Sequence, residues 1–204
     1  MKKALFSFAI LLALSSFVLH TTADGYRVGD KAADFRLKNV DGKTVSLADN
    51  AAAKGYIVVF TCNTCPFAQA YEDRIIALNA RYVPLGYPVV AINPNDAATG
   101  PEDSFAAMQA LAQRHHYAFP YLQDETQQVA RAFGATRTPN LYVIKRQGAD
   151  FVVAYTGAID DNSEDAKLVK TKYLENAMAD VIAGKPAAAN TTRAVGCSIR
   201  WKKS

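Results

Sequence analysis

Hydrophobic and polar positions follow two different periods along the chain. Residues 56–60, 89–92 and 141–144 are continuous apolar runs rich in β-branched and aromatic side chains, the pattern of strands covered on both faces. Residues 151–155 read as a further strand. Between these runs Phe67, Tyr71, Ile75, Leu78 and Tyr82 recur every three or four positions, as do Phe105, Met108, Leu111 and Ala112. That spacing gathers each set on one face of a helix. Upstream, residues 33–37 and 44–47 flank Asp41-Gly42, a dipeptide that accepts positive φ and so predicts a tight hairpin. A last helix is expected from about residue 164 to 183, with Ser163 as its N-cap and Val169, Tyr173, Ala177 and Val181 on its apolar face. Gly184 and Pro186 then stop it. Alternating strands and helices imply an α/β domain with a central mixed sheet flanked by helices.

Composition narrows the class. In 204 residues half are hydrophobic, and only 8 are proline and 11 glycine, which excludes a disordered, collagen-like or coiled-coil chain and fits one domain. The net charge of +4 is too small and too scattered to form the basic stripe that nucleic acid requires, so no nucleic-acid partner is expected. Lys2 and Lys3 followed by the uncharged stretch 4–19 have the pattern of an export signal. At roughly 16 residues the stretch is shorter than the roughly 20 of a membrane span. Cleavage after Ala23 leaves residues 24–186 as the domain and 187–204 as a tail, with 187–192 as the tether between them. The first cysteine is Cys62, so no thiol lies where a lipid anchor would attach. A periplasmic or otherwise extracytoplasmic location follows, with no stable membrane insertion after cleavage.

The candidate chemistry lies after the buried run 56–60, where Thr61, Cys62, Asn63, Thr64, Cys65 and Pro66 lead into the first amphipathic helix. A helix N-terminus offers unpaired N–H groups and a partial positive charge, which favour a thiolate. Two thiols separated by two residues close a small disulfide ring, and Pro66 suits a first helical turn. A zinc site lacks a second CxxC or a spaced histidine pair to complete four ligands. A purely structural cross-link over so short a loop gains little. Strand, CxxC and helix in that order therefore point to thiol–disulfide exchange.

On these residues, and on Gly134, Ala135, Thr136, Arg137, Thr138 and Pro139, the sequence resembles the thioredoxin superfamily over about residues 29–184, and within it the exported redoxins related to AhpC/TSA. The resemblance implies a thioredoxin-like fold with an insertion near residues 93–116. It makes Pro139 a cis-proline facing the CxxC and lets a substrate chain pair beside Thr138, with Thr61 lining the same approach. It also implies that Cys62, as the more exposed thiol, attacks a substrate disulfide and that Cys65 resolves the mixed disulfide, with no bound cofactor and no metal. The partner is then a protein or small-molecule thiol or disulfide. The sequence departs from ordinary thioredoxin in having Thr61 before the motif, Asn63-Thr64 within it, and Tyr56 where a buried carboxylate would assist proton transfer.

Three alternatives stand beside that reading. In a peroxiredoxin-like alignment Cys65 is the peroxidatic cysteine that reacts with peroxide and Arg137 supplies positive charge, although Cys62 and Val58 then stand in place of the expected threonine and proline. A copper chaperone using the thiols with His115 or His116 is less favoured, because both histidines fall at a helix end, where a cation is stabilised by the helix dipole. A binding module without catalysis is argued against by the intact CxxC. In the tail, Cys197 either resolves an intermediate at the active site, pairs with a second chain, or is an inert small residue anchored by Ile199 and Trp201. The sequence leaves these open.

Overall fold

The computed structural model of the chain describes residues 25–203; the export signal expected at residues 1–23 lies outside them. The strands are β1 (Lys31–Ala32), β2 (Arg36–Asn39), β3 (Thr44–Ser46), β4 (Gly55–Phe60), β5 (Val89–Asn93), β6 (Tyr121–Gln123), β7 (Arg137–Thr138), β8 (Asn140–Gln147), β9 (Asp150–Gly157) and β10 (Cys197–Ser198). The α-helices are α1 (Pro66–Tyr82), α2 (Phe105–Arg114), α3 (Gln128–Phe133) and α4 (Tyr173–Ile182). Eight strands form one mixed sheet in the order β1-β9-β8-β4-β5-β6-β2-β3, and β7 pairs separately with β10. Strands β4, β5 and β6 run parallel, while β8 lies antiparallel to both β4 and β9. The predicted hairpin is β2–β3, with Gly42 at φ 86° and the Asp41 carboxylate accepting the Lys43 N–H.

Each face of the sheet carries its own core, because successive side chains of a strand point to opposite sides. Ile57, Val59, Val89, Leu141 and Val143 pack against Tyr71, Ile75 and Leu78 of α1, Met108 of α2, and Leu174, Ala177 and Met178 of α4. Val58, Phe60, Val90, Ile92, Tyr142 and Ile144 face the other way, onto Phe35, Leu47, Phe133 and Ile199. Burying each such large apolar side chain contributes about 1.5–3 kcal/mol.

Four elements differ from expectation. Helix α4 begins at Tyr173 rather than near residue 164. The stretch before it is held in turns: the Asn162 side chain accepts the N–H groups of Glu164 and Asp165, and the Asp161 carboxylate accepts those of Lys170 and Thr171. These side chains satisfy donors that a helix would otherwise use. Strand β6 and helix α3 span three and six residues, too few to display a period. Finally, residues 187–192 are stitched to the fold and do not hang as a tether. Thr191 bridges Thr156, Thr192 donates its N–H to the Thr156 carbonyl, and Ala187 is buried in the core.

Candidate active site

Strand β4 ends at Phe60, and Thr61, itself buried, prolongs its pairing by donating its N–H to Ile92. The chain then turns through Cys62, Asn63 and Thr64. Cys65 occupies the N-cap of α1 with extended backbone, and Pro66 takes the first helical position. The predicted order of strand, CxxC and helix is therefore present in space. The Thr138–Pro139 peptide is cis, as expected, and lies directly against both thiols. The Cys62 sulfur is 3.1 Å from Thr138 Oγ1, and the Cys65 sulfur is 3.0 Å from the Thr138 carbonyl oxygen. Thr138 and Pro139 are buried.

The dipeptide between the cysteines is clamped by residues that sequence reasoning did not single out. Asp103 is almost fully buried, at 1% exposure, and its carboxylate accepts the Asn63 N–H at 2.7 Å and the Thr64 hydroxyl at 2.9 Å. It also accepts the side-chain amides of Asn93 and Asn95 at 3.1 and 2.9 Å. Tyr121 donates its hydroxyl to Asn63 Oδ1 at 2.8 Å, and Arg200 from the tail bonds Thr64 Oγ1 and lies 3.5 Å from Asp103. One signal in the sequence could have found this cluster. The polar run Asn93, Pro94, Asn95, Asp96 follows a buried parallel strand, and sites in α/β sheets gather at the carboxyl ends of such strands.

The tail occupies the remaining side. Strand β10 pairs antiparallel with β7, setting Cys197 opposite Thr138, and Ile199 donates its N–H to the Thr136 carbonyl. The Cys197 N–H points at the Cys65 sulfur at 3.4 Å. Gly196 lies so close to the cis peptide that a Cβ there would sit 2.2 Å from the Thr138 oxygen. Beyond Cys197, the Arg200 N–H bonds Asn95, the Arg200 carbonyl accepts from Asp96 and Gln127, and Trp201 stacks under the Arg131 guanidinium. Arg137 is exposed, and its guanidinium donates to the Gly196 carbonyl. Tyr56 gives its hydroxyl to the Leu47 carbonyl. His115 is turned toward Glu72 at 3.3 Å.

Of the CxxC pair Cys62 is the more exposed, as expected, although both thiols are buried. Cys62 and Cys65 are 4% and 2% exposed, whereas Cys197 is only partly buried. The hydrogen bond from the Cys62 thiol holds Cys65 below the usual thiol range against the opposing effect of burial, and contacts from Cys197 and the Ala68 N–H assist. The Cys65 thiol donates to the Thr138 carbonyl, which favours its protonated form. Cys62 is pushed up by the same hydrogen bond and by burial. Burial and the neighbouring Cys65 push Cys197 up to about 11. A cavity of about 20 Å³ lies beside Cys62, lined among others by Ala68, Glu72, Tyr117 and Tyr121, enough for one water-sized molecule. Among the described residues no group of three or more His, Cys, Asp or Glu side chains could hold a metal ion, and no helix is long and apolar enough to cross a membrane.

Comparison with known proteins agrees with this geometry. The model of the AhpC/TSA family matches residues 28–156. A Mycobacterium tuberculosis protein provisionally named a peroxiredoxin is 30% identical over 151 residues, covering 71% of this chain and 83% of that one. The thiol-disulfide oxidoreductase ResA of Oceanobacillus iheyensis is 28% identical over 127 residues, 60% of this chain and 62% of its own. Among solved structures, an uncharacterized conserved protein from Geobacillus kaustophilus superposes with a TM-score of 0.80 at 37% identity, covering 87% of this chain and 94% of that chain. The fold is thioredoxin-like, with a mixed central sheet between helices.

Proposed function

The chain belongs to the AhpC/TSA family of thioredoxin-superfamily redoxins, and from that premise we propose that it is a thiol–disulfide oxidoreductase whose Cys62 and Cys65 cycle between dithiol and disulfide. The observation that carries this is the convergence of both sulfurs, at the start of α1, on Thr138 of the cis-proline peptide. In exchange, a thiolate attacks one sulfur of a disulfide, a new S–S bond forms, and the other sulfur leaves with the electron pair. Cys62, the more exposed of the two, attacks a substrate disulfide, and Cys65 resolves the mixed disulfide, the partner sulfur leaving with the electron pair and taking up the proton that Cys65 gives up. Thr138 and Pro139, with Thr61 behind Cys62, shape the approach. The partner is a protein or small-molecule thiol or disulfide. The signal-like residues 1–23 support export, with residues 24–186 as the redox domain and 187–204 as its tail, acting in a compartment where disulfides persist.

The test is a paired assay. Pre-reduced protein is expected to reduce the disulfides of an insulin-type substrate and to emerge with Cys62 joined to Cys65, and Cys65→Ser to lose that activity. A second reading, a peroxidase with Cys65 as the peroxidatic thiolate, is favoured by the lowering of the Cys65 pKa, by the water-sized cavity beside Cys62, and by the name of the mycobacterial relative. Hydrogen peroxide consumed in turnover without disulfide reduction would reverse the order of the two readings.

A further inference from the structure

We propose that Cys197 is a third redox residue, exchanging disulfides with Cys65 inside one chain and presenting the oxidised bond to the outside. The proposal rests on the reading of Cys62 and Cys65 as the redox pair and adds to that pair a second, more exposed route to a partner. Both sulfurs of the pair are buried, and Cys197 is the least buried of the three cysteines. Its position is fixed by backbone pairing opposite Thr138, by the tight seat of Gly196, and by the anchoring of Ile199 and Arg200. The first turn of α1 serves two sulfurs together: the Ala68 N–H faces Cys65 and the Phe67 N–H faces Cys197. The tail therefore holds its thiol where a visiting chain would otherwise pair, and no other strand can add to that edge of β7 while β10 is docked.

The exchange is balanced. Starting from the Cys62–Cys65 disulfide, the Cys197 thiolate attacks Sγ of Cys65. The Cys65–Cys197 bond forms, the Cys62–Cys65 bond breaks, and the electron pair leaves on Cys62, which takes up the proton that Cys197 gave up. No external oxidant is consumed. An outside thiolate then attacks the accessible Cys197 sulfur and expels Cys65, whose low thiol pKa makes it the better leaving group. The products are a Cys197–partner mixed disulfide and the Cys65 thiolate. A second partner thiol opens the mixed disulfide, and the partner is oxidised by two electrons as the chain is reduced. Every step runs backward when the partner is the stronger oxidant.

The experiment uses the full chain, oxidised with one equivalent of diamide and mapped by non-reducing peptide mass spectrometry. In Cys62→Ser the expected product is an intrachain Cys65–Cys197 disulfide in a monomer. In rapidly quenched wild-type protein at partial oxidation, both Cys62–Cys65 and Cys65–Cys197 are expected. Gly196→Ala, which keeps all three thiols but unseats the tail, should slow formation of Cys65–Cys197 by roughly tenfold or more, since an undocked thiol on a flexible tether meets its target at an effective concentration of only millimolar order. Cys197 left free in both oxidised Cys62→Ser and quenched wild type, or joined only between chains, would overturn the relay. If Cys197→Ser forms the Cys62–Cys65 disulfide and keeps full turnover, the relay alone fails. If disulfide reduction survives in both Cys62→Ser and Cys65→Ser, the underlying redox pair fails with it.

Discussion

Cys65 is a buried sulfur faced mainly by donors, and its behaviour with pH follows from that. Because its pKa is held below the ordinary thiol value of 9.0, chiefly by the Cys62 thiol, the thiolate persists as pH falls toward neutrality. Alkylation by iodoacetamide, followed by peptide mapping, should give a Cys65 rate that is level above its own pKa and falls tenfold per pH unit only below it. Cys62→Ala should move that break to higher pH, because it removes the largest stabilising contact. Asp103 acts on the other thiol. Asp103→Asn puts an amide where four donors converge, which should cost about 1–3 kcal/mol and lower Tm by several degrees, read by calorimetry. It also removes a negative charge that raises the Cys62 pKa, so that pKa should fall. Cys62, Cys65 and Pro139 were legible because each belongs to a short local motif. Asp103 and Arg200 were not, since they meet the Asn63-Thr64 turn from 40 and 136 residues away along the chain.

At the scale of elements, long periodic segments were readable and short or self-capped ones were not. Helices α1 and α2 and strands β4, β5, β8 and β9 stand where the pattern put them, because each buries a repeating set of apolar side chains. The late start of α4 has a measurable consequence. Leu174 is fully buried, so Leu174→Ala should cost about 2–5 kcal/mol in urea unfolding. Leu168, which a helix begun at residue 164 would contain, is 62% exposed, and Leu168→Ala should stay within about 0.5 kcal/mol of the parent protein. A large loss at Leu168 would argue for the longer helix. The periodic pattern read over residues 164–183 could not reveal the turn-forming competition of Asp161 and Asn162, which operates through side-chain oxygens and not through hydrophobic spacing.

For the whole molecule, the α/β class was visible in the alternation of strands and helices, and the thioredoxin likeness in the CxxC and the Thr138-Pro139 motif, but the path of the last residues was not. Their pairing with β7 joins Cys197 to a strand some 60 residues earlier, and a two-residue bridge leaves no compositional mark. The export reading makes a direct prediction at this scale: mass spectrometry of protein recovered from the extracytoplasmic fraction should find Asp24 as the first residue, and an intact Met1 there would refute cleavage after Ala23. The chain also contains a single tryptophan, Trp201, and it sits on that tail against Arg131. Intrinsic emission is therefore a built-in optical gauge of docking, able to follow in real time, without any attached dye, whether the last strand stays seated or lifts away as the sulfurs change partners.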